Sequence, residues 1–491
     1  MQGTKKLSLF SFFSMTAALF ITVYGYPTFA ESGKTLIFFL LLCGIFWFLP
    51  TALVAAEMAS TDEIKEGGIF GWVGNTLGEN YGFAAIFFQW FQVTVGFVTM
   101  IYFIIGALSE ILNMPELNNN KMIKFALVLV IFWVFTFIQM KGTKLTSQIS
   151  KIGFIFGIII PVIILLILTI KYVVSGQPIA PSYSDKPFFP TGKNFSALVT
   201  FMIAYMGVEA SAPKIDELDN PSKNYPLMMI YLVIVGIVLS VIGGGAVSMV
   251  IPADKIGLNT GVIEAFKALL PGAGWAVKTL SVLVTFGVLA QVSSWIVSPT
   301  SGLLFVAKKG LLPAKFKGVN KAGVPVPLLI VQGIVVSVWA AVLTFSGGSG
   351  SGGGSQVSFL TAVSLSVIIY LSAYVLFYLG YFALILKKEN QSMKRTYQVP
   401  GGKTVKVIVA SFGFIISVLA MISSFIPSAV LKGSEATAYI VTLTGSFIVT
   451  LIIPFAFYHF YSKKHRIQNT PATTSSTKSK SNTTKTKTKT K

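Results

Sequence analysis

The stretch 22-TVYGYPTFAESG-33 closes the first long apolar run, where a membrane-spanning helix would be expected to continue. Instead it carries two tyrosines around a glycine, then a proline, and finally an acidic residue. Gly25 loosens a helix and Pro27 removes a backbone donor. Non-helical backbone at membrane depth is tolerated only where it lines a cavity or is packed in protein. A second interruption follows in 204-AYMGVEASAPK-214, where Gly207 relaxes the chain, Glu209 places a carboxyl among apolar residues and Pro213 ends or kinks the run. Two such breaks turn a lipid-facing reading into one of spans opened for a purpose.

The rest of the chain supplies the setting. Of 491 residues, 54% are hydrophobic and 11% charged, and apolar runs recur that are long enough to cross ~30 Å of hydrocarbon. An all-α polytopic membrane protein is the class that fits, because the short alternating segments of a β-barrel are absent. Twelve spans are expected, at 8–31, 36–59, 83–112, 122–140, 149–174, 195–212, 226–251, 275–305, 326–345, 357–386, 404–427 and 437–461. The apolar run after Met1–Lys6 reads as a retained first span rather than a cleaved leader, since it is long and lacks a small-residue cleavage site. The net charge of +21 lies between spans and in the tail, which argues against a nucleic-acid partner. Loops 141–151, 306–323 and 387–406 hold the lysines, among them Lys144, Lys315 and Lys394, whereas loop 346–356 has none. That bias places both termini in the cytoplasm of a bacterial-type plasma membrane.

Residues 1–461 therefore read as one transmembrane transporter domain and 462–491 as a disordered basic cytoplasmic tail. The tail's lysines suit an anionic lipid leaflet, and 346-SGGSGSGGGSQ-356 reads as a flexible linker. Cys43 is the single cysteine, so no disulfide forms within the chain, and His459 and His465 make no metal set. No Ser/His/Asp arrangement or phosphate-cradling glycine loop appears, so neither an enzyme nor a cofactor is expected.

Spans one and six occupy matching places in two five-span halves, about 8–174 and 195–386, with further helices at 404–461. Interrupted segments at corresponding places point to a transport site between inverted repeats. Backbone N–H groups at a half-helix start attract a carboxylate, and carbonyls at the other broken end take an ammonium. An amino acid carries both groups.

At these motifs the chain resembles the glutamate/GABA antiporter family of the amino acid–polyamine–organocation superfamily. The resemblance rests on VYGYPTFAESG, AAEMAS (55–60), EGGIFGWV (66–73), YMGVEASA (205–212), VSSWIVSPTSG (292–302) and KRTYQVPGGK (394–403). It implies a LeuT-like core of five plus five inverted spans followed by two more. It also implies exchange of an external amino acid for its decarboxylation product, with an intracellular decarboxylase as functional partner. Glutamate/GABA and histidine/histamine stand level as substrate pairs. Two departures bear on that choice, because the family usually has acids where this chain has Gly25 and Gln291.

The candidate substrate residues follow from the breaks and the resemblance. Tyr24, Gly25 and Tyr26 belong to the first break, and Tyr205, Gly207 and Glu209 to the sixth span. Gln291 and Trp295 share a helix face four residues apart, and Tyr370 and Tyr374 repeat that spacing. Interfacial aromatic belts, interhelical hydrogen bonding and aromatic packing are the plain alternatives for these side chains. A buried acid that tolerates protonation is the alternative for Glu209. Glu57, beside Asp62, Glu63 and Glu66, reads as an interfacial acid, and 214-KIDELDN-220 as a loop salt-bridge cluster. A proton-coupled amino acid symporter, with Glu209 carrying the proton, is the competing mechanism.

Overall fold

The computed structural model describes residues 9, 13, 16–17, 20–21, 23–64, 66–141, 149, 152–191, 195, 197–209, 218–346, 353–390, 392–428 and 431–462. Pro213, most of the 214–220 stretch, His465, Lys144 and the basic tail lie outside them. Among the described residues the fold is helical, and an isolated antiparallel bridge joins Thr61 and Arg395.

Ten helices among the described residues are long and apolar enough to span a membrane. They correspond to ten of the twelve expected spans; the first and sixth are the exceptions. In the first span the described residues Leu9, Phe13, Thr16, Ala17 and Phe20 are helical, and a bend at Val23 and a turn at Tyr24 and Gly25 separate them from Tyr26–Ala30 (α1). α2 (Thr35–Ala59) contains a π-helical turn at Gly44–Phe48. The short α3 (Ile69–Leu77) precedes α4 (Glu79–Leu112), and α5 (Lys121–Met140) and α6 (Ile152–Val174) complete the first half. The described part of the sixth span contains α7 (Leu198–Met202) and a 3-10 turn at Ile203–Tyr205. Then follow α8 (Pro221–Val250), the short α9 (Gly261–Leu269), α10 (Gly274–Lys308), α11 (Val326–Ser346), α12 (Gly353–Leu386), α13 (Gly402–Ser424) and α14 (Ser434–Phe457). The start of α12 corrects one expectation: the linker read at 346–356 is already helical from Gly353, while 347–352 lie outside the described residues.

α4 and α12 lie together at the centre, with α3 wedged against both, α10 along α4, and α13 and α14 on the far side of α12. The outer helices turn apolar stripes outward: Val130, Val134 and Phe137 on α5; Ile163, Ile167 and Ile170 on α6; Val441, Ile448 and Ile452 on α14. Spacings of three, four and seven put each set on one face, as a lipid-exposed surface requires. Where α6 meets α10, backbones touch. A Cβ on Gly157 would stand 2.3 Å from the Gly287 Cα, so only glycine permits this crossing.

At the end of the bundle carrying the lysine-rich loops, Glu57 departs from the interfacial acid expected of it. Asp62, Glu63 and Glu66 are exposed, but Glu57 is fully buried. Its Oε1 accepts from Arg395 Nη1 at 2.9 Å and Lys406 Nζ at 2.7 Å. Its Oε2 accepts from the Tyr381 hydroxyl at 2.9 Å and the Val399 N–H at 2.8 Å. The Arg395 guanidinium also donates to the carbonyls of Leu384 and Asn390. Backbone bonds from Asp62 N–H to the Lys394 carbonyl and from Thr396 N–H to the Ser60 carbonyl fasten the same loop to the end of α2. Burial, reinforced by the Glu57 carboxylate, pushes the pKa of the nearby Tyr397 hydroxyl up. One carboxylate facing two cations is a costly group to bury, and it persists because every oxygen is engaged.

Candidate functional site

The candidate site is built from the two interrupted helices, the first packed on α8 and the sixth on α12. In the first, Val23 bends the chain, and Pro27 sits in the first turn of α1, where its missing N–H costs nothing. The Gly25 carbonyl accepts from the Phe29 N–H and from the Thr28 hydroxyl at 2.7 Å, so the break is closed on its downstream side. Gly25 itself has ordinary right-handed backbone angles. What restricts the position is space, since a Cβ there would lie 2.8 Å from the Phe29 ring. On the upstream side, Gln291 reaches across from α10 and donates its side-chain N–H to the Ile21 carbonyl. The Gln291 carbonyl oxygen and the Tyr26 hydroxyl are both buried without a hydrogen-bond partner among the described residues. Unpaired polar atoms are expensive in such a place, and these two stand at the edge of the first break.

In the second interrupted helix, Met206 is extended and Gly207 has φ +108°, a region L side chains avoid. A Cβ on Gly207 would also stand 3.1 Å from the Trp295 ring. Trp295 and Gln291, one helical turn apart on α10, thus address one break each. Gly207→Ala is expected to lower thermal stability by about 1–3 kcal/mol from backbone strain, measured by melting in detergent. Adding Trp295→Leu clears the ring but leaves φ unchanged, so most of the loss should remain. Full recovery would assign the glycine to ring clearance alone.

Just beyond this turn lies Glu209, 1% exposed. Its Oε1 accepts from Gln89 Nε2 of α4 at 2.9 Å and from the Tyr370 hydroxyl of α12. Its Oε2 accepts from the Tyr374 hydroxyl. One carboxylate therefore ties the broken sixth span to both central helices. The Tyr370 and Tyr374 rings pack 4.8 Å apart between centroids, and Trp47 of α2 meets Tyr374 edge-on at 4.9 Å.

α12 carries these tyrosines within a longer polar seam. Ser366, Tyr370, Tyr374 and Tyr378 follow at four-residue intervals, with Tyr381 one turn further, and so share a face. Ser366 bonds Gln92, Tyr370 and Tyr374 bond Glu209, Tyr378 pairs with Thr51 at 2.6 Å, and Tyr381 reaches Glu57. Over about 22 Å, at ~1.5 Å per residue, this face links the broken sixth span to the ion cluster at the bundle's end.

Of the expected site residues, Glu209, Tyr370 and Tyr374 are brought into direct contact, Gln291 and Trp295 approach the two breaks, and Tyr24 and Tyr26 are buried beside the first. Tyr205 is turned away: its hydroxyl donates to the Leu40 carbonyl at 2.9 Å and its ring packs on Phe48. Gln89 is the partner that the sequence reading missed. Its signal was a glutamine inside an otherwise apolar 83-FAAIFFQWFQV-93 run, three residues before Gln92.

The family profile described as amino acid permease matches residues 7–448. The chain is 51% identical over 467 residues to a glutamate/gamma-aminobutyrate antiporter of Lactococcus lactis subsp. lactis (strain IL1403), covering 94% of this chain and 92% of that protein. A protein of the same name from Lactococcus lactis subsp. cremoris (strain MG1363) matches at the same identity and coverage. A probable agmatine/putrescine antiporter of the former strain is 22% identical over 460 residues, 92% of this chain and 94% of its own.

Proposed function

This chain belongs to the amino acid permease family, and on that premise we propose that it exchanges external glutamate for intracellular GABA. The observation that carries a transport reading is the packing of the two interrupted helices on each other, Phe29 against Phe201, with a buried Glu209 tying the sixth span to α4 and α12. Polar breaks of this kind at membrane depth form substrate sites between inverted repeats. The choice of substrate pair over histidine/histamine draws on the names of the two lactococcal relatives, which match at 51% identity over nearly all of both chains.

The architecture we propose is twelve spans, with residues 1–461 as the transporter domain and both termini in the cytoplasm of the plasma membrane. The first and sixth spans complete the ten helices of the bundle. Two pairings support a five-plus-five inverted repeat. Long helices of 34 and 35 residues, α4 and α10, stand third in each half. The nine-residue helices α3 and α9 precede them at matching places.

Substrate binds with its carboxylate toward backbone N–H groups of the broken spans and its ammonium toward their carbonyls. The absence of acids at Gly25 and Gln291 removes repulsion for an anionic substrate at the first break. Rocking of the bundle then opens the other side. Glutamate enters with one more negative charge than GABA carries out, so each cycle moves one charge, worth ~2.3 kcal/mol per 100 mV. Decarboxylation inside the cell consumes one proton and releases CO2, so exchange coupled to a decarboxylase opposes acidification and stores energy.

Counterflow tests this reading. Proteoliposomes loaded with GABA are expected to take up labelled glutamate, and empty ones are not. Uptake into empty vesicles driven by a pH gradient alone would replace exchange with proton symport. Preference for histidine into histamine-loaded vesicles would overturn the substrate pair.

A further inference from the structure

At the end of the bundle away from the basic loops, the two interrupted spans border a cavity of about 450 Å³. Its wall carries two cations, Lys186 and Lys432, together with the carboxylates of Glu31, Asp254 and Glu435. Charges of both signs around one void suit a solute that is itself dipolar. The volume falls within the range of small-molecule sites, roughly 300–1,000 Å³. Thr28 and Thr200 also line it, one from each interrupted span. The Thr28 hydroxyl donates to the Gly25 carbonyl, so the cavity reaches to within one helical turn of the first break. Lys186 donates to the Glu31 carbonyl oxygen at 2.5 Å, tying the loop wall to the end of the first span.

We propose that this cavity is a second binding site, an outer holding site for a zwitterionic amino acid before it descends to the breaks. Lys186 and Lys432 take its carboxylate, and Glu31, Asp254 and Glu435 its ammonium. The choice of ligand rests on the antiport reading above. The site holds glutamate or GABA without the Glu209 centre.

Equilibrium binding of labelled GABA and glutamate to the full-length protein in lipid nanodiscs tests it. Wild-type protein is expected to saturate with two molecules per chain and Glu209→Gln with one. Lys432→Gln and Glu435→Gln alter accessible side chains, so neither is expected to disturb folding; size-exclusion profiles check this. In proteoliposomes each should raise the external half-saturation concentration about fivefold, the effect of losing one partly exposed charge contact. The internal half-saturation for GABA should not move. A single site in wild type, none in Glu209→Gln and unmoved external half-saturation would overturn the holding site while leaving exchange intact. Absence of both binding and exchange in wild type would overturn the antiport reading, and this proposal with it.

Discussion

Glu209→Gln is expected to reduce glutamate/GABA exchange by about 30- to 1,000-fold while leaving the folded protein nearly as stable as before. The carboxylate accepts three hydrogen bonds, from Gln89, Tyr370 and Tyr374. Hydrogen bonds to a charged group contribute about 1.5–3 kcal/mol each, so weakening one or two supplies about 2–4 kcal/mol, which is that range of rate. Stability should change little because glutamine has the same shape, and a tyrosine hydroxyl can reverse to accept from the new amide. Removing a charge from the interior also relieves desolvation. Tyr374→Phe, which deletes one donor, should cost about tenfold in exchange. Radiolabelled exchange normalised to purified protein, beside a melting curve, reads both quantities. Near wild-type exchange by Glu209→Gln would remove this carboxylate from the mechanism.

The second large effect concerns the ion cluster at Glu57, and here the expectation reverses, with stability moving most. In Glu57→Ala, Arg395 and Lys406, each with an 8% exposed side chain, face one another with no carboxylate between them. Leaving a buried charge without its partner costs about 3–5 kcal/mol, so this variant should melt far below wild type or fail to accumulate. Lys406→Met leaves the Glu57–Arg395 pair in place at neutral net charge and should cost much less. The order Glu57→Ala worse than Lys406→Met follows from counting charges. Equal losses would show that the cluster contributes packing rather than charge balance.

How much of this was legible beforehand depends on how far apart in sequence the partners lie. The breaks were readable because glycine, proline and tyrosine interrupt otherwise continuous apolar runs at 23–27 and 204–209. Glu209 stood out because a carboxyl at membrane depth needs a reason, and Tyr370 with Tyr374 because helical spacing puts them on one face. Long-range pairing leaves no such trace. Gln89 meets Glu209 across 120 residues, and Arg395 meets Glu57 across 338. Glu57 was therefore read from its exposed acidic neighbours, whereas its real partners lie in a distant loop. Tyr205 shows the converse, a residue beside a break whose hydroxyl is spent on the α2 backbone. The reading of 346–356 as linker failed in part because glycine and serine weaken helices without forbidding them, and α12 begins at Gly353.

The Glu57 cluster also sets a schedule for synthesis. Glu57 enters the membrane with α2, but Arg395 is made 338 residues later and Lys406 later still. At about 5–20 residues per second, ribosomes deliver the first of those cations roughly 17 to 70 s after the acid. Throughout that interval the nascent chain carries a carboxylate with no cation from its own loop. A chain that stops before Arg395 never neutralises it. Nascent forms, and forms truncated before Arg395, thus differ from the finished protein by a carboxylate at the end of the second span without its cation partners.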